Sequence, residues 1–582
     1  MTHDTTYRVA VLGGGMAGLA AAHELASVNG DGPVRFDVTV YERNAIFGGK
    51  ARSFPKVGSG HGDRDDLPGE HGFRFFPSYY RHVPHTMSRI PYNDPSGETR
   101  TVFDNLVDAA ETDFAATKGP LIQLPNEFPE NLHQLAQLFR FHDKVPITLR
   151  ESMFFARRML SLLCSSERRR YDQYENLSWF QFSGADNKNF GDAYRQYLAD
   201  GLNQRTVAAS GKDVSARTVG LTLVRIVNSW TPRSRSIDRV LNGPTSDRWV
   251  TPWQHHLESK GVHFVSDANA VKVNWSGSNV ESVDIDRNGV TERVEADYFI
   301  SAMAVDCMQR IATNSEMRGT AARIDGIYEL SGDRMNGIQF FLDCDLRLAP
   351  GHTIYVDSEF ALTSISQQMF WKDVDIPALG DGRVRGVLSV DISEWDEPCK
   401  CHGLPATAMS REQIKEEVWR QVKEHVNNPS GYDAGLTDDN LLDWMLDPAV
   451  VERAGAVAAG EPATDNQEPL FINRVGSWQH RPQSVVGFDN FFLAGDYVRT
   501  KTDLATMEAG NESGRRAARD VLERSGSDPD RIELFEFPEP SVFKPWRDKD
   551  DVAFADAEVG GYEQMAIEPR DLPEEWGPEP AR

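Results

Sequence analysis

At 582 residues the chain exceeds what one ordinary hydrophobic core can use, so two or more domains are expected. Hydrophobic residues make up 40% and charged residues 26%, a globular composition. The 62 Lys and Arg against 88 Asp and Glu give a formal charge of −26, which repels nucleic acid and argues against broad attraction to anionic lipid, although a local basic patch could still act.

The start, Met1-Thr2-His3-Asp4, is polar, and the apolar run after it reads as no signal peptide. That run, ending Val11-Leu12, stops at Gly13-Gly14-Gly15-Met16-Ala17-Gly18 and a helix-forming stretch follows. This strand–turn–helix setting is what a G-x-G-x-x-G match needs. Gly13 suits the tight turn, Gly15 lets backbone approach a pyrophosphate, and Gly18 allows close helix–strand packing. The N–H groups at the helix start, around Met16 and Ala17, would face phosphate charge. A second β-type run, 36–41, ends at Glu42, where an acid accepts hydrogen bonds from a ribose. Glu42-Arg43 is followed by Gly48-Gly49-Lys50-Ala51-Arg52-Ser53, a second glycine pair with cations suited to phosphate.

The chain to this point resembles the flavin amine oxidase and phytoene desaturase superfamily, in which Glu-Arg followed by Gly-Gly-(Lys/Arg)-x-x-Ser goes with FAD. The resemblance implies an α/β fold: a Rossmann-type, glutathione-reductase-like FAD-binding domain with an inserted α+β substrate domain. It implies cofactor contacts from Gly13, Gly15, Met16, Ala17, Gly18, Glu42, Arg43, Gly49, Lys50, Ala51 and Arg52. The next motif, Gly69-Glu70-His71-Gly72-Phe73-Arg74-Phe75-Phe76-Pro77, lies where the superfamily's chain passes the flavin ring. Gly72, Phe73 and Arg74 are therefore expected at the cofactor. Glu70, His71 and Arg74 are the candidate catalytic groups; the alternative is a strand with a buried aromatic face and ordinary salt bridges.

Residues 81–230 read as mostly helical, most clearly at 148–163. There Leu149, Met153, Ala156, Leu160 and Leu163 share one face, with Arg150, Arg157 and Arg158 opposite. The favoured reading is a core helix that buries the apolar face; the other is an interfacial helix that collects a lipid. Leu241-Asn242-Gly243-Pro244 breaks the helical region, and strands are expected at 261–265, 270–274, 280–285 and 293–300. Residues 297–304 resemble the return strand of the FAD domain, and Val271 the place where backbone meets adenine. Strands at 337–342, 361–366 and 386–392 suggest a second sheet, and 410–425 a helix.

The five cysteines are scattered and odd in number, which suggests no disulfide framework and a reducing, cytoplasmic setting. Cys399-Lys400-Cys401-His402 has no second pair to complete a metal site, and no metal is expected. A strand at 490–494 ends in Gly495-Asp496, and 502–515 reads as a helix. In the superfamily this Gly-Asp places a carboxylate on the ribityl or phosphate region, and the helix aims its positive end at the flavin. Gly495, Asp496, Ala505, Thr506 and Met507 are therefore expected at FAD, with the last three along the ring edge. The tail after 524 is rich in Pro, Glu and Asp; Trp546, Phe554 and Tyr562 suggest that parts of it wrap the body, with a loose end.

The resemblance runs from residue 8 to about 522, and 69–77, 243–252 and 503–512 look most like its carotenoid and squalene branch, hydroxysqualene dehydroxylase-like proteins included. The expected FAD domain comprises 1–80, 240–310 and 470–525; the substrate domain 81–239 and 311–469; the tail 526–582. The resemblance implies hydride transfer from carbon of a small apolar substrate to FAD, with oxygen or a quinone as final acceptor and peripheral contact with the inner face of a membrane. Aromatic groups at 73–80, 361–371 and 478–497 would reach the substrate. The second hypothesis is an amine or amino-acid oxidase, with Trp478 and Tyr497 as a cage and Arg481 or Arg499 holding a carboxylate. The third is a flavin-dependent isomerase or a subunit without net redox turnover.

Overall fold

The computed structural model describes residues 5–30, 32–93, 99–128, 145, 147–199, 210–231, 236–320, 324–455 and 461–559. Its first sheet is parallel and five-stranded, in the order His263–Val265, Val34–Tyr41, Thr5–Leu12, Tyr298–Ser301, Phe491–Leu493. The central strand is buried on both faces from Val9 to Leu12, as a strand covered on both sides must be. Helix Met16–Ser27 follows after three residues, and nearly its whole surface is buried. It crosses helix Met507–Arg524 so closely that a Cβ on Gly514 would lie 2.1 Å from the Ala17 carbonyl oxygen. The two glycine-marked ends of the chain thus meet on one sheet.

A second, seven-stranded sheet runs in the order Leu441–Leu446, Asn336–Leu342, Gly386–Ile392, Thr363–Ser366, Gly351–Tyr355, Glu111–Ala115, Ile122–Pro125. Helix Arg411–Val426 covers it, capped by Ser410 and Gln413 in a reciprocal box, and packs Ile414, Val418 and Val422 into the core with Phe340 and Leu388. The strands at 336–342, 363–366 and 386–392 fall where hydrophobic patterning predicts them. Two corrections arise. The helical reading of 81–230 misses Glu111–Ala115 and Ile122–Pro125, the last two strands at one end of this sheet. The helix expected from 502 begins at Met507, with Thr506 as its N-cap accepting from Ala509 N at 3.2 Å.

By contact density the chain forms two units, one of residues 1–144, 229–473 and 477–537, the other of 145–228, 474–476 and 538–582. The borders expected at 80, 240, 310, 470 and 525 all fall inside the larger unit. Within the smaller unit, helix Leu149–Cys164 reverses the favoured expectation. Glu151, Phe154, Arg158 and Leu162 are buried, whereas Leu149, Met153 and Leu160 are exposed. The reason is local: Glu151 closes a capping box with Thr148 and accepts from Gly191 N, while Arg158 Nε donates to the Phe182 carbonyl at 2.6 Å. These polar anchors turn the apolar face outward. In the tail, Phe554 receives the Arg169 guanidinium 4.7 Å from its ring centre, but Trp546 is exposed, and Tyr562 lies outside the described residues.

Candidate functional site

Gly13 takes a φ of +111°, a conformation that side chains strain against, and a Cβ there would also lie 2.7 Å from the Ala302 carbonyl oxygen. Gly18 carries the tighter demand, with a Cβ 1.9 Å from the Gly13 carbonyl oxygen. Glu42 stiffens the turn: it accepts from Gly14 N at 2.8 Å and Asn44 N at 2.9 Å, while burial raises its carboxyl above the usual range. The second glycine pair lies against the first. Gly48 N donates to the Gly14 carbonyl at 2.8 Å, and a Cβ on Gly49 would sit 3.0 Å from Gly15 Cα. Gly15 caps the helix without a side chain, so the first-turn N–H groups beside Met16 and Ala17 have no side-chain cap.

The far end of the chain joins this place through Met303. A Cβ on Gly13 would lie 3.3 Å from Met303 N, and one on Gly495, whose φ is +131°, 3.0 Å from Met303 O. Asp496 follows, half-buried; its backbone carbonyl accepts from Arg481, and its carboxylate accepts no hydrogen bond from the described residues. Ala505 N donates to Asn473 Oδ1 at 3.0 Å, and Thr506 and Met507 open the helix behind. Glu512 orders the preceding loop by accepting from Lys501 N and Thr502 N at 2.7 and 2.9 Å. Val271 sits at an irregularity of strand Asn269–Ser276, skipped between two pairs with its neighbour, and its carbonyl accepts from Asn314.

The cations beside the second glycine pair converge on a residue that motif reading misses, Glu468. Arg52 donates to both its oxygens at 3.0 Å and to the Gly49 carbonyl at 2.6 Å; Arg43 reaches it at 3.3 Å. Lys50 donates to the Pro469 carbonyl, and Ala51 is buried. Burial alone would push the Glu468 carboxyl up, but Arg52, then His71 and Arg43, outweigh it and hold it at about 2. A depressed carboxyl stabilises the fold above its unfolded value and loses that contribution as pH falls through its folded one. Glu468→Gln is therefore expected to cost about 3 kcal/mol near neutrality, and melting curves of the two proteins should converge between pH 4.5 and about 2. A constant gap over that window would remove the assignment.

The 69–77 stretch is equally committed. Glu70 accepts from Ser53 Oγ at 2.7 Å and Thr245 N at 2.9 Å, its second oxygen is buried without a partner, and burial raises its carboxyl. His71 Nδ1 lies 2.6 Å from Asp447 and 3.8 Å from Glu468. Gly72 is pressed against Asp391, whose Oδ1 would lie 2.7 Å from a Cβ there and accepts from Phe73 N at 3.2 Å. Burial pushes Asp391 up to about 7, with Arg74 opposing. The Arg74 guanidinium turns to the carbonyls of Gly72, Phe73 and Lys50, and burial lowers its pKa. Beyond the ring of Phe73 stands a group absent from the sequence expectations. The imidazole of His352 lies 5.1 Å from Phe73 and 5.3 Å from Phe75, with Nδ1 2.6 Å from Asp238 Oδ2 and Nε2 buried without a partner. No local motif marks it; strand Gly351–Tyr355 brings it there by pairing with Glu111–Ala115.

Of the three segments expected at the substrate, two come together. Phe73, Ile365, Phe370 and Trp371 share one apolar cluster with Phe341 and Val387. The third does not: Tyr497 belongs to the core beneath the first sheet. The amine-oxidase candidates are also occupied. Arg481 is buried, donates to the carbonyls of Asp496, Tyr497 and Val498 and to Asp503 at 2.7 Å, and lies with Arg499 over the Trp478 ring. Elsewhere, donor atoms of Cys401, His402 and Glu417 fall within 4.8 Å of one another, but Glu417 is engaged by Arg420 and Gln421.

Three features fit a bound flavin dinucleotide: a glycine cradle that a Cβ would fill, an uncapped helix start, and the unengaged Asp496 carboxylate. Comparison with known proteins agrees. The family model described as flavin containing amine oxidoreductase matches residues 16–522. The chain is 23% identical over 531 residues to a probable zeta-carotene desaturase of Synechococcus elongatus, covering 89% of this chain and 98% of that protein. It is 21% identical to the 15-cis-phytoene desaturase of the same organism, over 89% and 96% of the two chains. Among solved structures, cyclohexylamine oxidase from Brevibacterium oxydans superposes with a TM-score of 0.56 at 12% identity, over 89% of this chain and 99% of that one. Among the described residues no helix is long and apolar enough to cross a membrane.

Proposed function

The chain belongs to the flavin containing amine oxidoreductase family and is an FAD-dependent oxidoreductase, and from that premise we propose that it introduces a double bond into an apolar, isoprenoid-like substrate. The observation that carries this reading is the contrast around Phe73: apolar side chains gather there, while the groups an amine or amino acid would need, Arg481 and Trp478, are engaged elsewhere. The names of the two cyanobacterial relatives point the same way. Burial supplies the affinity: at about 25 cal/mol per Å² an isoprenoid chain gains several kcal/mol without an ion pair.

FAD, when bound, supplies the two-electron acceptor. The turn at Gly13–Gly18 with Gly49 and the helix start would hold its pyrophosphate, Glu42 the adenosine ribose, and Asp496 the ribityl or phosphate region. Oxygen or a quinone takes the electrons on. Desaturation removes two hydrogens from adjacent carbons, one with its electron pair and one as a proton. We assign that proton to Nε2 of His352. Asp238 faces Nδ1, so the tautomer with hydrogen on Nδ1 leaves the Nε2 lone pair free beside Phe73 and Phe75. His71→Ala and Arg74→Ala are expected to slow flavin reduction while leaving FAD bound.

The reading is tested by mixing the FAD-loaded protein anaerobically with isoprenoids, amines and amino acids and following flavin absorbance. Bleaching by an isoprenoid, with a product two hydrogens lighter, is the expected result. Bleaching only by an amine would reassign the protein as an amine oxidase. Conversion of an isoprenoid with no consumption of acceptor would reassign it as an isomerase.

A further inference from the structure

The family match ends at residue 522, but the chain that follows is tied back onto the body. Ser527 N donates to the Leu522 carbonyl at 2.8 Å, and residues 528–537 then run back along helix Met507–Arg524. Arg519 donates to the Ile532 carbonyl at 3.0 Å and to Asp530 at 2.6 Å. Arg515, one turn nearer the helix start, donates to the Glu533 carbonyl at 3.0 Å. Arg531 crosses to helix Met16–Ser27 and donates to the carbonyl of its C-cap residue, Val28, at 2.8 Å. Ile532 is fully buried. At the far end Phe535 N donates to His82 Nε2 at 3.0 Å, and the Phe535 ring lies 5.2 and 5.1 Å from the imidazoles of His82 and His85 in helix His82–Met87.

His82 passes this contact on. With Nε2 accepting from Phe535, the ring hydrogen sits on Nδ1 and is donated to Glu508 Oε1 at 2.9 Å. Glu508 also accepts from the N–H groups of Arg81, His82 and Val83 at 2.7, 2.7 and 2.9 Å, which pins the start of helix His82–Met87 to the first turn of helix Met507–Arg524. Two residues on, a Cβ at Gly510 would lie 3.3 Å from Met16 Cβ and 3.7 Å from Ala17 N, at the uncapped start of helix Met16–Ser27. Two helix starts thus meet at the glycine cradle, and they meet through glycine. Gly510 and Gly514 permit the close approach but give no side chains to interlock. A polar frame supplies the resistance to sliding: Arg515 binds Asn511, Thr86 and the His82 carbonyl and lies 3.4 Å from Glu24 of the first helix. We propose that residues 528–537 are a strap that retains FAD, and that His82 is the positioning residue through which the strap acts. The helix starts hold a dinucleotide only while both stay in place around it. One segment fixes both helices, at Val28 on the first and, through His82 and Glu508, at the opening turn of the second.

The test uses the full-length protein and needs no substrate, so its result is independent of the desaturation reading. Hydrogen exchange of wild type is compared with and without FAD. A strap that tightens FAD binding must itself be tightened by FAD, by the same factor, so the amides of 532–537 should exchange about tenfold more slowly in the loaded protein. FAD release on dilution, read by flavin fluorescence, is then followed in two variants. His82→Asn keeps a donor for Glu508 but loses the acceptor for Phe535 N. Arg519→Gln/Arg531→Gln loosens the strap from its outer side, away from the cradle. Both should release FAD about tenfold faster, the loss expected from one or two hydrogen bonds. A strap that only packs against the body would exchange equally in the two states of wild type, and that result overturns the proposal. Unchanged FAD release in the double variant, with its strap amides exchanging faster, overturns it as well. If His82→Asn melts early as apoprotein, the wild-type exchange comparison and the double variant decide.

Discussion

Gly18→Ala is expected to abolish FAD retention and most of the soluble protein, whereas Gly15→Ala, three residues earlier, should leave the fold intact and weaken FAD binding alone. The two differ in what an added methyl group meets. At Gly18 it would lie 1.9 Å from the Gly13 carbonyl oxygen, a backbone atom at the turn itself. Helix and strand must then part, a loss of the exceptional class above about 4 kcal/mol. At Gly15 the backbone is extended, with φ −82° and ψ −172°, which any residue adopts, and the methyl would meet Gly49 Cα at an ordinary 3.6 Å. The apoprotein has room for it. A dinucleotide approaching the helix start does not, and a loss of about 100-fold in affinity, or about 3 kcal/mol, is expected. Thermal melts of the apoproteins and FAD release on dilution separate the two effects. Asp496→Ala should fall between, because it removes a carboxylate engaged by no described residue and costs nothing in packing. If Gly15→Ala retained FAD fully, the cradle would not be the pyrophosphate site.

Substitution of His352 should have the largest effect on turnover itself. His352→Ala is expected to slow flavin reduction by about 10²–10⁴, the usual contribution of a positioned general base, while FAD stays bound and yellow. His352→Gln keeps the volume beside Phe73 and Phe75 but cannot accept a proton, so it should be as slow. Asp238→Asn offers a different signature. It leaves the imidazole in place but removes the carboxylate 2.6 Å from Nδ1, so the rate–pH profile should shift rather than vanish. A merely structural His352 would predict lower melting temperature with an unaltered rate profile. Full activity in His352→Gln would remove the residue from the reaction.

Gly13, Gly15, Gly18 and Glu42 could be read from the sequence because their constraints are local. A turn, a close approach and a helix start lie within a few residues, and each leaves a residue type at a fixed spacing. Gly495-Asp496 was legible for the same reason, as a strand end followed by a helix. The parallel sheet followed from the family resemblance that these motifs carry. What chain order could not contain was convergence. Glu468, which gathers Arg43, Arg52 and His71, and His352, which reaches Phe73, lie hundreds of residues from their partners and carry no motif. The helix at 149–164 shows the limit most sharply. Its apolar period was plain, but which face turns inward was decided by Glu151 and Arg158 finding backbone partners at Gly191 and Phe182. Periodicity states that a face exists; only the tertiary hydrogen bonds, each costly to leave unmade once buried, choose the side on which it lies.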